Sequence, residues 1–343
     1  MTITQSSIVW KKSALTSDTT PAQNGGRLSQ TNSPAGVRGN IFPGIQNSQR
    51  VSGVVLLRKL FIKIETANPE TLLDPKIFIA ALSAGDDYLT LRYTGSQTDT
   101  QDQLGNARHY GIGTLQESVA QGATQLRITL EHSGAAALQP FRPGDLLRVS
   151  NKTDSNPAGE EEYVSVDDAS DAVVTSGGEV TLLVSPTTLA WTVGGTVPVL
   201  VSSCIQPGDV SATYSAFAVH SAAGTYSDTA NLIPLPIGAV CQTWTVTITD
   251  PATGTFRLDG DTLGSGVASG QMGSSFRPVN PDTLTPYFTI SASGWGGDWA
   301  LNDSMTFTTS PAAVPVWYQQ NIPANAASIA ASTTTVTIDG ECQ

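Results

Sequence analysis

The densest group of side chains able to do chemistry is Glu160-Glu161-Glu162 followed by Asp167, Asp168 and Asp171. Several hard carboxylate oxygens close together are what a divalent cation needs. In a strand, however, Glu160 and Glu162 share one face while Glu161 points to the other, and the run spells out no EF-hand-type loop. A solvated strand edge, kept from pairing with another chain by its charge, is the simpler account. Asp259-Gly260-Asp261, with Gly264 and Gly266 behind it, is a second carboxylate loop, and short Asp side chains beside glycines predict a hydrogen-bonded turn there. Asp86 and Asp87, next to Tyr88 and Arg92, imitate the acid pair of a glycosidase, but neighbours on a strand face apart and cannot flank one sugar. His109, His132 and His220 lie in separate segments, none beside a Ser or Cys in a nucleophile motif. Gly111-Ile112-Gly113 lacks the further glycine of a dinucleotide loop, and no glycine-rich loop runs into a lysine. Cys204, Cys241 and Cys342 have no Cys-x-x-Cys spacing, so free thiols are expected, with a Cys204–Cys241 bridge left open if their strands are adjacent. The expectation is a protein that is not an enzyme, with no cofactor and no metal.

Aromatic residues form the other conspicuous group. Trp295, Trp299, Trp317 and Tyr318 sit among Gly294, Gly296, Gly297, Pro311, Pro315 and Pro323. Stacked aromatics can make a sugar platform, but the polar side chains that would fix sugar hydroxyls are few, chiefly Asp298, Asn302 and Asp303. The segment therefore reads as rigid turns and apolar anchors, buried in a core or at a subunit contact. Ile8, Val9, Trp10, Ile41 and Phe42 are the corresponding anchors near the N-terminus, separated by a long polar stretch that cannot form its own core.

The elements that position these residues follow from composition and patterning. At 343 residues the chain exceeds a typical domain of roughly 100 to 200 residues. Only 13% of residues are charged, while Gly, Pro, Ser and Thr abound. That balance favours short strands and tight turns over helices with charged outer faces. The net charge of −12 reflects few bases, 17 Lys plus Arg, dispersed without a stripe, so nucleic-acid binding is disfavoured. No apolar run is long enough for a membrane helix; Val54 to Ile64 carries Arg58, Lys59 and Lys63. The start, Met1-Thr2-Ile3-Thr4, has neither the basic nor the apolar region of a secretory signal, which predicts a protein kept in the cytoplasm where it is made.

The pattern predicts an all-β protein: an immunoglobulin-like sandwich with an inserted small β-barrel-like domain and an extended N-terminal arm. Residues 1–50 form the arm. Residues 51–113 begin the sandwich, with Val54, Leu56, Leu60, Ile62 and Ile64 on one face at period two. Tyr88 to Tyr110 reads as a long loop or short edge. Residues 114–201 form the insertion, from five short alternating strands around Leu126, Leu147, Val164, Leu182 and Val199. Residues 202–343 complete the sandwich, led by the strand whose Trp244, Val246 and Ile248 alternate with Thr243, Thr245, Thr247 and Thr249.

Ile8-Val9-Trp10-Lys11-Lys12, Ile41-Phe42-Pro43, Arg58-Lys59-Leu60-Phe61-Ile62, Gly294-Trp295-Gly296-Gly297, Pro311 to Trp317 and Ile322-Pro323-Ala324 together resemble a family of structural proteins of contractile-tailed bacteriophages. The resemblance spans most of the chain in texture and short motifs and carries no catalytic signature. It implies a virion component present in several copies in the neck, collar, tail or baseplate, whose partners are copies of itself and other virion proteins. The alternative from the aromatic loops is an adhesin or carbohydrate-binding module.

Overall fold

The computed structural model describes residues 3–153, 156–169, 173–174, 177–329 and 332–342. The protein is all-β, built from antiparallel sheets, with one short α-helix, Asn47–Ser52, among the described residues.

Its body is a sandwich. The larger sheet has six strands in the order Asn24–Asn32, Ile8–Thr16, Val54–Ile64, Ala313–Ile322, Tyr88–Arg92 and His109–Tyr110. The smaller pairs Leu72–Ala81 with Thr335–Cys342. Leu60, Ile62 and Ile64 project from one face of Val54–Ile64 into a core shared with Ile77, Ile79, Leu91 and Val316. The opposite face, carrying Lys59, Phe61 and Lys63, is buried as well. A strand covered on both faces loses the clean alternation of a half-solvated one and reads as a near-continuous apolar run. Here that run contains lysines.

Three expectations for the body are corrected. The N-terminal segment is not an extended arm. Ile8–Thr16 runs antiparallel to Val54–Ile64, from Ile8↔Ile64 to Lys12↔Leu60, and turns back on Asn24–Asn32. The apolar contacts its anchors need come from the chain's own body: Ile8, Trp10, Ile41 and Phe42 are half-buried against the core. The hairpin escapes sequence patterning because Asn24–Asn32 is polar and the pairing is interrupted by irregularities between Lys11 and Leu15. The second correction concerns Ala313–Ile322, expected as turns. It is a central strand, buried at every residue except Gln320, which is half-buried. Pro315, opposite Phe61, is tolerated because the neighbour on the other side, Tyr88–Arg92, joins only from Trp317 onward, so no ladder bond is lost there. Tyr88–Arg92 is thus an inner strand and not a loop or edge.

The chain leaves the body twice. From Ile112 to Ser203 it forms a seven-stranded sheet around its own core of Leu126, Ile128, Leu147, Val149, Leu182 and Trp191. Backbone bonds from Asp167 N to Leu183 O (2.9 Å) and from Ser185 N to Ser165 O (2.8 Å) join the two sides of this sheet and curl it toward a barrel. Gly111 and Ser203, where the chain departs and returns, are hydrogen-bonded to each other.

From Thr213 to Ser310 the chain builds a third unit, so residues 202–343 are not one half of a single sandwich. Five strands, Thr213–His220, Ser304–Ser310, Gln242–Asp250, Thr255–Gly260 and Gly264–Gln271, pair in that order. They cover a separate core of Trp244, Val246, Ile248, Phe256, Phe288 and Phe307. Trp244, Val246 and Ile248 are fully buried, and Thr243, Thr245, Thr247 and Thr249 occupy the outer face of the same strand. Ile205 and Val210 before this unit, and Ala312 onward after it, belong to the body core.

Because Thr213 and Ser310 are paired, the third unit has adjacent ends and a complete core. A fragment spanning residues 211–312 is expected to unfold cooperatively in urea, followed by Trp fluorescence, and Ile248→Ala should cost it about 2–5 kcal/mol. A fragment without a cooperative transition would show that this core depends on the body.

Candidate functional site

A cluster of buried charged and aromatic side chains lies on the Lys59 face of the body sheet, and of the residues expected to matter it includes Trp317. Lys59 Nζ is fully enclosed and lies 2.5 Å from Asp99 Oδ1; the two side chains are 0% and 7% exposed. The ammonium also donates to the carbonyls of Gly26 (2.9 Å) and Asp99 (3.3 Å). Asp99 Oδ2 accepts from Trp317 Nε1 (3.0 Å) and Thr94 Oγ1 (2.8 Å). The rings of Phe61 and Trp317 flank Nζ at 5.0 and 6.0 Å from their centroids. Burial pushes the Lys59 pKa down, opposed by the hydrogen bond and charge of Asp99. Gly25 is required here: at φ +104°, a Cβ would sit 2.5 Å from the Trp317 ring.

A second lysine points toward the third unit. Lys63 Nζ donates to Ile237 O (2.6 Å) and sits 3.4 Å from Glu65, which Lys11 approaches at 3.0 Å. Burial depresses its pKa to about 8, with Glu65 opposing and Lys11 reinforcing the fall. Arg27 completes this seam, donating to Asp261 at 2.7 and 3.1 Å and to Cys241 O at 2.9 Å. A third polar junction links the body to the barrel-like unit: Glu131, at the end of Gln125–Leu130, accepts from Ser83 N. Burial raises its pKa to about 7, and the charge of Asp87 adds to the rise.

The interface candidates divide into two places. Trp10 Nε1 donates to Tyr318 Oη at 3.0 Å, which brings the N-terminal anchors Ile8, Trp10, Ile41 and Phe42 onto the same body as Trp317 and Tyr318. Val9 is half-buried opposite Lys63. Trp295 and Trp299 instead contact each other in the third unit, 5.2 Å between centroids, where Trp295 also packs on Tyr226 and Phe256.

The carboxylate runs are occupied by their own chain. Glu162 accepts from Thr188 N (2.6 Å), Thr188 Oγ1 (2.7 Å) and Trp191 Nε1 (2.5 Å), while Glu161 pairs with Arg148. Asp171 lies outside the described residues. Asp259 Oδ1 accepts from Gly266 N (2.7 Å) and Ser265 Oγ (2.9 Å), closing the expected turn. No cluster of metal-ligating side chains occurs among the described residues. Asp86 caps Ala327 N, and Asp87 accepts from Ser83, Ser332 and Gln320. His109 bonds Thr90, His132 accepts from Gly134 N and stacks on Tyr88, and His220 bonds Thr306, all apart from one another. Cys204 and Cys241 are free, and burial raises the pKa of both thiols, that of Cys204 to about 12. One cleft of about 220 Å³, lined by Lys12, Ile41, Pro43, Arg58 and Leu60 among others, lies between the hairpin and the 39–43 turn. It falls below the roughly 300–1,000 Å³ usual for small-molecule sites.

No known protein family, curated protein or solved structure matches the chain.

The buried charged residues whose placement patterning missed are Lys59, Lys63 and Asp99. The available signal was charge embedded in the apolar run Leu56–Ile64, which marks a strand buried on both faces; nothing local to Asp99 marks it as the partner. Two outcomes test the energetics. Trp317→Ala should cost about 3–5 kcal/mol in denaturant unfolding, through lost packing and an exposed Asp99 partner, with Trp317→Phe milder. Glu131, whose folded pKa lies above its usual 4.5, contributes stability that is full below about pH 4.5 and lost as pH rises through about 7. Glu131→Gln should flatten that slope relative to the parent chain, measured as urea midpoints across the same pH range.

Proposed function

We propose that this protein is a non-enzymatic structural component of a contractile-tailed bacteriophage particle, present in several copies in the neck, tail or baseplate region. The observation that carries the reading is the use to which the chain puts its aromatic residues. Trp317, Tyr318 and Trp299 are only 1%, 3% and 9% exposed. Residues that a glycan platform would have to present are spent on internal packing, which favours the structural reading over an adhesin. The short-motif resemblance supplies the particle, and the polar contacts between units, Arg27 with Asp261 and Lys63 with Ile237 O, supply the rigidity that a mechanical part requires. Apolar side chains remain outside for contacts with copies of itself and other virion proteins, including Leu284 (82% exposed) near the hairpin Val279–Asn280/Thr285–Pro286.

Native mass spectrometry of the full chain tests this. A defined ring or other symmetric oligomer is the expected result, and Leu284→Asp should weaken it by at least the tenfold that about 1.4 kcal/mol represents. A strict monomer that instead retains a cell-surface glycan on an array would replace the proposal with the adhesin reading.

A further inference from the structure

Lys59 and Asp99 are placed for more than an ion pair. Among the ion pairs of the described residues, this is the lysine–carboxylate pair in which both side chains are closed off from water, at 0% and 7% exposure; Lys63 and Glu65 stand at 0% and 23%. Holding two charges in such a site carries a desolvation cost of several kcal/mol per ion. Transfer of one proton from Nζ to Oδ1 across 2.5 Å removes both charges at once. It leaves a neutral amine beside a neutral carboxylic acid.

We propose that Lys59 and Asp99 condense to an intramolecular amide that cross-links the strand Val54–Ile64 to the 93–103 loop. The amine lone pair on Nζ attacks Cγ of Asp99, forming the C–N bond. Negative charge develops on Oδ2, where the Trp317 indole N–H at 3.0 Å and the Thr94 hydroxyl at 2.8 Å are already aimed. Two fixed donors on one oxygen in a water-excluded site are the arrangement that stabilises a tetrahedral intermediate. As the intermediate collapses, Oδ1 takes a second proton from Nζ and the Cγ–Oδ1 bond breaks. The products are one secondary amide and one water, with no change of oxidation state and no added reactant.

Proximity supplies the rate. Groups held within one hydrogen bond of each other react as if at very high local concentration. The same fold that holds Nζ against Oδ1 also holds the acceptor oxygen, because Asp99 N is anchored to Ser96 Oγ (3.1 Å) and Asp99 O accepts Gly26 N (2.8 Å). Burial lowers the proton affinity of the Lys59 amine, in the direction that frees its lone pair. Arg58 and Arg108, whose pairs with Asp18 and Asp145 each bury one of the two side chains, carry guanidinium groups that stay protonated and do not react this way.

The intact mass of the purified full chain, denatured before measurement, decides the matter. The expected value is one water below that of the sequence. A tryptic digest should contain a branched peptide joining Lys59 to Asp99, with no cleavage after Lys59. Asp99→Ala and Lys59→Arg chains should each show the full mass of their own sequence, a reading that does not depend on how well either variant folds. Full mass in the parent chain after prolonged incubation, with Lys59 and Asp99 in separate linear peptides, overturns the proposal. So does a water loss that maps to Asp259-Gly260 or Asp339-Gly340 and is cleaved by hydroxylamine, since that is a succinimide.

Discussion

Placing lysines on the inner face of a fully covered strand constrains everything around them. Lys59 and Lys63 have completely buried side chains, and an unpaired ammonium in that environment is costly enough that each must be met by fixed oxygens. For Lys59 this requirement draws Asp99 inward, folds the 93–103 loop over the sheet and brings the backbone of Gly26 to within hydrogen-bonding distance. For Lys63 it recruits a carbonyl from the third unit, Ile237 O. The body sheet is thereby held by its edge hairpin, a loop and a neighbouring unit, all through groups that have no satisfactory alternative partner.

Tryptophan plays a related part in every core. Trp317 donates to Asp99, Trp191 to Glu162, Trp244 to Thr309 and Trp10 to Tyr318. In each case a large apolar ring packs against a core while its single N–H bonds a polar side chain. Such contacts specify one arrangement of the surrounding strands, because a ring displaced by an ångström loses both the packing and the bond. A chain with little surface charge and many small polar residues gains uniqueness from these few directional anchors.

The placement of the two excursions from the body follows from the same economy of contacts. Each leaves and returns through hydrogen-bonded neighbours, Gly111 with Ser203 and Thr213 with Ser310, so the body sees each as a local connection. Each also owns an apolar core of its own. The boundaries are nevertheless polar and specific: Arg27 with Asp261, Glu131 with Ser83, and Tyr163 with Asp339 at 2.8 Å. These contacts orient units that could otherwise fold without regard to one another.

Local patterning by itself determined the all-β class and the strands that are half-solvated. Gln242–Asp250, with indole and aliphatic residues against threonines, and the short alternating strands between Ile112 and Ser203 are written in the sequence because one face meets water and the other does not. The turn at Asp259 was legible for a similar reason, since its bonds are all within a few residues. Only the tertiary structure decided that Ile8–Asn32 is a hairpin, that Ala313–Ile322 is a central strand despite Pro315, and that residues 213–310 form a unit of their own. It alone decided that Lys59 meets Asp99. These outcomes rest on pairings between residues far apart in the chain, and on burial of both faces of a strand at once, which erases the alternation by which a strand announces itself.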